Sequence, residues 1–248
     1  MAKKPVQKAN SRQFVGVLVV VAAVGVAALG YALSHSGQKV MIVDPRIPAG
    51  AAEGHLMGNA NAPVQVLEFG DFECPACGNF ATVTEPDVRT RLINTGVVAF
   101  RYFDFPLSQH KNSWTAHLAA ACADDQGKFW EMHDRIYAGQ DEWSDLVGDA
   151  PDPLGIFRRY AKELGMDVKS WENCVTTQKY SARIKGNQAE GMRRNVAQTP
   201  TLIIGNRQVN GVTYDEFKKL VDEAVADASK AKADSASKAG ARKKGAAR

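Results

Sequence analysis

Residues 64–77, VQVLEFGDFECPAC, constrain the fold more than any other stretch of the chain. Val64, Val66, Leu67 and Phe69 are β-branched, aliphatic or aromatic and lie in a short run between Pro63 and Gly70, which predicts a buried strand. Cys74 then opens a second element, in which Phe80, Val83, Val88 and Leu92 recur at near-helical spacing. The cysteine is thereby placed at a helix N-terminus, where unpaired backbone N–H groups and the helix dipole favour a thiolate. Cys77 lies one turn inward, close enough to close a disulfide. Two sulfurs delivered by a strand to the mouth of a helix predict a redox site.

Composition narrows the setting. The 248 residues are 45% hydrophobic, ample for a core. The formal charge of +4 is unevenly spread: four Lys or Arg fall in residues 1–13, and seven, against Asp234 alone, in 229–248. That leaves 14–228 with 20 basic and 26 acidic residues, a net of about −6. A basic nucleic-acid face on the folded part is therefore not expected. Four cysteines are too few for a disulfide-stapled miniprotein.

Lys3, Lys4, Lys8 and Arg12 precede residues 14–33, twenty uncharged residues rich in Val, Ala, Leu and Gly. At 1.5 Å per residue such a helix reaches about 30 Å, the thickness of a bilayer core. The basic cluster predicts that residues 1–13 stay cytoplasmic and that everything after Leu33 lies outside. The expected element is a signal-anchor in the bacterial inner membrane, with a cleaved signal peptide and secretion as the alternative. Residues 34–57 carry Pro45, Pro48, Gly50 and Gly54 with little periodicity and are expected to be a linker.

Beyond the cysteines, Pro86 interrupts the predicted helix and should kink it near Glu85. Residues 97–103 (VVAFRYF) predict a second strand, and strand, helix and strand suggest one βαβ unit with parallel pairing. About 90 residues of helical pattern follow. Trp114, Leu118 and Cys122 share one face; Phe129, Met132 and Ile136 form a second stripe; Leu154, Phe157, Ala161 and Leu164 form a third. A long helix is expected over about 176–194. Strand signals return at 201–204 and 207–209 around Gly205-Asn206, a two-residue hairpin turn. A last helix carries Tyr214, Phe217, Leu220, Val221 and Val225. Residues 227–248, Ala, Lys, Ser and Gly with no apolar face, are expected to be a disordered basic tail.

The order of these parts resembles the DsbA-like thiol:disulfide oxidoreductases of the thioredoxin superfamily. The resemblance covers about residues 58–226, with a helical insertion over about 107–196. It rests on Val66-Leu67-Glu68-Phe69 leading into Cys74-Pro75-Ala76-Cys77, on residues 119–133 (AAACADDQGKFWEMH), and on Gln198-Thr199-Pro200-Thr201. It implies an α/β thioredoxin-like fold with an all-helical insertion, preceded here by an N-terminal transmembrane helix. Cys74 is the expected nucleophile and Cys77 the resolving thiol. Ala76 stands where strongly oxidising relatives often carry His, and Asp71 and Glu73, if close, would raise the Cys74 pKa by repulsion. The Cys74 thiol is accordingly expected to titrate between about 3.5 and about 7.

Thr199-Pro200 maps onto the family's cis-proline loop, and the resemblance implies that the Thr199 backbone pairs with an extended substrate segment. The same dipeptide is also an ordinary strand start. Glu68, amid apolar neighbours, is expected to be buried with a raised pKa and to shuttle a proton for Cys77; alternatively it is a strand-edge residue facing solvent. Cys122 and Cys174 are either a structural disulfide closing a loop of about 50 residues or two inert buried thiols. His110 lies in a loop that either lines the cleft or faces solvent, and His117 and His133 are expected in packing or capping roles. The four tryptophans are expected in the core of the insert.

The implied function is a membrane-anchored, extracytoplasmic oxidoreductase that introduces disulfides into exported proteins. Its partners would be cysteine-containing exported substrates and, by analogy, a quinone-linked membrane oxidase for reoxidation. No metal site and no cofactor are expected. The alternatives are a reductase or isomerase of the same fold, a structural zinc site built from all four cysteines, and a peptide-binding module.

Overall fold

The computed structural model describes residues 24–26, 39–44, 52–148 and 152–245. Residues 1–39 and 40–248 form two compact units. Within the first, 24–26 are helical with Val24 and Val26 exposed. The rest of the expected anchor at 14–33, and the basic residues before it, lie outside the described residues. Among the described residues no helix is long and apolar enough to cross a membrane.

The second unit is built on six strands: β1 (Met41–Ile42), β2 (His55–Met57), β3 (Val64–Gly70), β4 (Val98–Asp104), β5 (Thr201–Ile204) and β6 (Arg207–Asn210). They form one sheet in the order β1-β6-β5-β3-β4-β2. β3 and β4 pair in parallel, Val64 opposite Val98 through Gly70 opposite Asp104. Both strands are buried on both faces, which is why they read as near-continuous apolar runs. β5 runs antiparallel to β3, and β5 and β6 form the expected hairpin, with Gly205 at φ +60°.

The helical run that crosses from β3 to β4, α1, spans residues 75–93. It alternates between α geometry at Pro75–Asn79 and Glu85–Val88 and π geometry at Phe80–Thr84 and Arg89–Ile93. Pro86 has no N–H for the α ladder, and the chain around it shifts to i→i+5 bonds: Glu85 N–H reaches the Phe80 carbonyl and Asn94 N–H the Arg89 carbonyl. The expected disturbance at Glu85 is thus a change of helical register. Phe80, Val88 and Leu92 face the sheet, but Val83 is 66% exposed and Glu85 is buried in its place.

The insert contains α2 (Ser113–Ala123), α3 (Phe129–Ala138), α4 (Gln140–Trp143), α5 (Pro153–Glu163), α6 (Val168–Thr176) and α7 (Ser181–Arg193). α2 is buried all round and packed by α3, α5, α6 and α7, so the single apolar face expected from Trp114, Leu118 and Cys122 understates it. Its alanines let four helices approach one axis. Trp143 and Trp171 are fully buried, their indole N–H groups donating to the Ile136 and Ala119 carbonyls; Trp114 and Trp130 are half-buried. The long helix expected over 176–194 is α7, which begins only at Ser181; Thr176 closes α6, and Gln178, at φ +52°, lies in the turn between the two.

Two further expectations change. Residues 34–57, expected as a linker, contribute both edges of the sheet: β1 pairs with β6 and β2 with β4. Such short strands are held by backbone bonds and leave no hydrophobic period to read. The last helix, α8 (Tyr214–Gly245), continues through most of the stretch expected to be disordered from 227. Alanine and lysine are strong helix formers, and a helix already begun needs no apolar face to extend. Residues 246–248 lie outside the described residues.

Candidate active site

β3 ends at Gly70 and the chain turns through Asp71, Phe72 and Glu73 into α1. Phe72 anchors the turn from below, fully buried against the rings of Tyr102, His117, His133 and Tyr137. Cys74 N–H donates to the Asp71 carbonyl at 3.1 Å, and Cys74 is the N-cap of α1 with extended backbone, followed by Pro75 in the first turn. Cys74 is 8% exposed and Cys77 wholly buried, both as free thiols.

The two thiols are driven apart. Cys74 is lowered to about 5, first by its hydrogen bond with Cys77, then by Thr199 and by the backbone N–H groups of Cys77 and Ala76, against the opposing effect of burial. Cys77 is raised well above the ordinary thiol value by burial, by the Cys74 sulfur and by the charge of Glu68. The Asp71 N–H, 3.5 Å from the Cys77 sulfur, works in the other direction.

Asp71 and Glu73 do not act as expected. Both carboxylates are buried and turned into the insert. Asp71 accepts hydrogen bonds from Glu73 N–H, Leu107 N–H and the Ser113 hydroxyl and pairs with His110 at 2.7 Å. Glu73 accepts from Asn112 N–H, Asp145 N–H and the Ser144 hydroxyl. Their charge is spent on anchoring the turn, and Cys74 keeps its low pKa.

Thr199-Pro200 is a cis peptide, and the Thr199 carbonyl accepts from the Cys74 thiol at 3.4 Å. Thr199 and Pro200 are therefore brought directly onto the nucleophile. Glu68 is 1% exposed, and neither carboxyl oxygen has a hydrogen-bond partner among the described residues. Burial, with Glu85 adding its charge, holds its carboxyl well above the usual range, and Arg89 opposes this. The solvent-facing alternative for Glu68 does not hold.

Cys122 and Cys174 are bonded to one another, 52 residues apart, between α2 and α6. A zinc site of all four cysteines is thereby excluded. His110, in its loop, is largely buried on Asp71 rather than facing solvent. His117 sits wholly inside, 2.7 Å from Asp104, whose other oxygen takes the Asn187 amide; these partners, outweighing burial, hold Asp104 at about 2. His133 pairs with Asp134.

Two site-building residues escaped the sequence reading. Glu85 lies three residues before Val88 on the apolar face of α1, a spacing that marks it as inward-facing. Gln140, whose side chain reaches the Phe72 and Cys74 carbonyls, opens a one-turn helix 66 residues beyond Cys74 and leaves no pattern to find.

A dithiol split in acidity at the mouth of a helix, beneath a cis-proline loop on a sheet with a parallel βαβ unit, defines a thioredoxin-fold redox protein. The chain belongs to the thioredoxin family, whose model, described as "Thioredoxin", matches residues 51–223. Its fold is similar to those of solved DsbA proteins, among them that of Chlamydia trachomatis, with a TM-score of 0.62 at 19% identity, covering 73% of this chain and 95% of that one. Its fold matches oxidised BdbD from Bacillus subtilis with a TM-score of 0.62 at 21% identity, covering 75% of this chain and 98% of that one. Among curated proteins it is 25% identical over 174 residues to a probable disulfide bond formation protein D of Bacillus anthracis, covering 67% of this chain and 76% of that protein. It is also 33% identical over 173 residues to a Salinispora tropica protein named Na(+)/H(+) antiporter NhaA 3, covering 68% of this chain. The chain spans about a quarter of the length of that relative.

Proposed function

We propose that this protein is an extracytoplasmic disulfide-forming oxidase, tethered to the inner membrane by residues 14–33, that oxidises cysteine pairs in exported proteins. The observation that carries this is the split between a Cys74 lowered to about 5 and a Cys77 raised well above the ordinary value. A stabilised Cys74 thiolate favours the reduced form of the pair and so makes its disulfide a stronger oxidant. The tether rests on the basic cluster at 3–12 followed by twenty uncharged residues.

In the oxidising direction a substrate thiolate attacks the Cys74 sulfur of the Cys74–Cys77 disulfide. The bond between the two cysteines breaks, and Cys77 leaves as a thiolate with a high proton affinity. Glu68, buried and with its carboxyl held well above the usual range, would supply that proton. The second substrate thiolate then attacks the substrate sulfur of the mixed disulfide, and Cys74 departs as a thiolate. Two electrons pass from substrate to the pair, and a quinone-linked membrane oxidase, by analogy with the family, would remove them. The Thr199 backbone, already at the Cys74 sulfur, would align the substrate as an added strand.

Equilibration with glutathione measures the reduction potential and so tests the direction. A value well above the roughly −270 mV of thioredoxin is expected, and one near it would overturn the oxidase reading in favour of a reductase.

A further inference from the structure

The turn that presents Cys74 is gripped by the insert through one side chain to which the chemistry above gives no role. Gln140 is the first residue of α4, a single helical turn fixed by Trp143. Trp143 is fully buried, edge-on to Phe157 at 5.1 Å, with its indole N–H on the Ile136 carbonyl; the Asn112 amide donates to the Trp143 carbonyl at 2.7 Å. From this base the Gln140 amide nitrogen donates to the Phe72 carbonyl at 2.6 Å and to the Cys74 carbonyl at 3.0 Å. An NH₂ group has two protons, and both are placed, one on either side of Glu73.

Gly78 makes room for this. A Cβ built there would fall 2.4 Å from Gln140 Oε1 and 2.9 Å from Cδ, so the amide lies flat across the first turn of α1. A glycine inside a helix lowers helix stability, and here it permits a contact no other residue would. The Gly78 N–H itself donates to the Cys74 carbonyl at 3.1 Å, so the carbonyl of the nucleophile is shared between the helix ladder and the insert.

We propose that Gln140 is a positioning residue of the redox site, its side-chain amide locking the Phe72 and Cys74 carbonyls across Gly78 and so fixing the turn that aims the Cys74 sulfur at the helix N-terminus. Without it the insert holds the turn only by side chains, through Asp71, Glu73 and the packing on Phe72. The sulfur then samples positions further from the Cys77 and Ala76 N–H groups that stabilise its thiolate. The inference rests on the proposed function, because it assigns a role in the same exchange reaction.

The test is the Cys74 thiolate titration, read by ultraviolet absorbance on the full-length reduced protein. Gln140→Met keeps the volume and removes both donors, and Gln140→Ala removes the side chain. Each is expected to raise the Cys74 pKa by roughly 0.5–1 unit, a three- to tenfold loss of thiolate. That fold-change corresponds to a potential about 15–30 mV more negative. Gly78→Ala, which displaces the amide from the other side, is expected to give the same shift and to add nothing in the Gln140→Ala background. An unshifted pKa in Gln140→Met, or full additivity of Gly78→Ala with Gln140→Ala, would overturn the role of Gln140. A wild-type Cys74 titrating near the ordinary 8.5 would instead overturn the proposed function itself.

Discussion

The protein holds two pairs of neighbouring cysteines with opposite chemistry. Cys122 and Cys174 are bonded between two helices, surrounded by the alanines and aromatic rings of the insert. Neither sits at a helix N-terminus. Cys74 and Cys77 stand at the first turn of α1, where backbone N–H groups, a neighbouring thiol and Thr199 converge on one sulfur. The difference teaches that reactivity comes from the donors around a sulfur. Proximity of a second cysteine supplies only the opportunity for a bond.

The sharpest way to break this contrast is to exchange the roles by mutation. Cys74→Ser is expected to abolish thiol oxidation, and Cys77→Ala to accumulate mixed disulfides through Cys74, visible by mass spectrometry and lost on reduction. The double variant Cys122→Ala/Cys174→Ala should retain exchange and the low Cys74 titration while losing about 4 kcal/mol of stability in denaturant unfolding, the chain-entropy value for a loop of this length. Activity lost with the insert's disulfide, in a protein still folded, would erase the distinction.

A second effect, on the order of 10²-fold, is expected for Glu68→Gln in the single-turnover rate of substrate oxidation, since an amide has no proton to give Cys77. Because Glu68 is buried without a hydrogen-bond partner, the same variant should not lower stability. The smallest effects are those of pH on stability. The folded Cys74 pKa is depressed to about 5, so its thiolate stabilises the reduced protein fully above the unfolded thiol value, and this contribution is lost as pH falls through about 5. Reduced wild type measured against Cys74→Ser should therefore gain stability between about pH 5 and pH 9. Asp104 follows the same sign at lower pH: its contribution is present above the ordinary carboxylate value and lost as pH falls through about 2. An Asp104→Asn variant should lose that window, seen by thermal unfolding in acid.

Much of this was legible in the chain because the central elements obey simple periods. β3 and β4 announce themselves by continuous apolar runs, and the Cys-Pro-Ala-Cys stretch by its place between strand and helix. The edges were not legible, because Met41–Ile42 and His55–Met57 are ordered by backbone pairing with neighbours far along the chain. Within the site, Cys74 meets the Thr199 carbonyl beside the cis Pro200, and Glu68 is buried in β3 as its apolar neighbours suggested. What pattern could not supply was orientation. Asp71 and Glu73 lie beside the nucleophile in sequence but point their charges into the insert, and Gln140, remote in sequence, lies across it.

The length of α8 has its own consequence. At 1.5 Å per residue, 32 residues make a rod of about 48 Å, and its first turns are pinned by Phe217, Leu220, Val221 and Ala224. The pinned turns serve as a seed, so the alanine- and lysine-rich remainder extends by adding single bonds to a helix that already exists. Warming should fray that remainder gradually, while the sheet beneath the pinned turns melts in one sharp step.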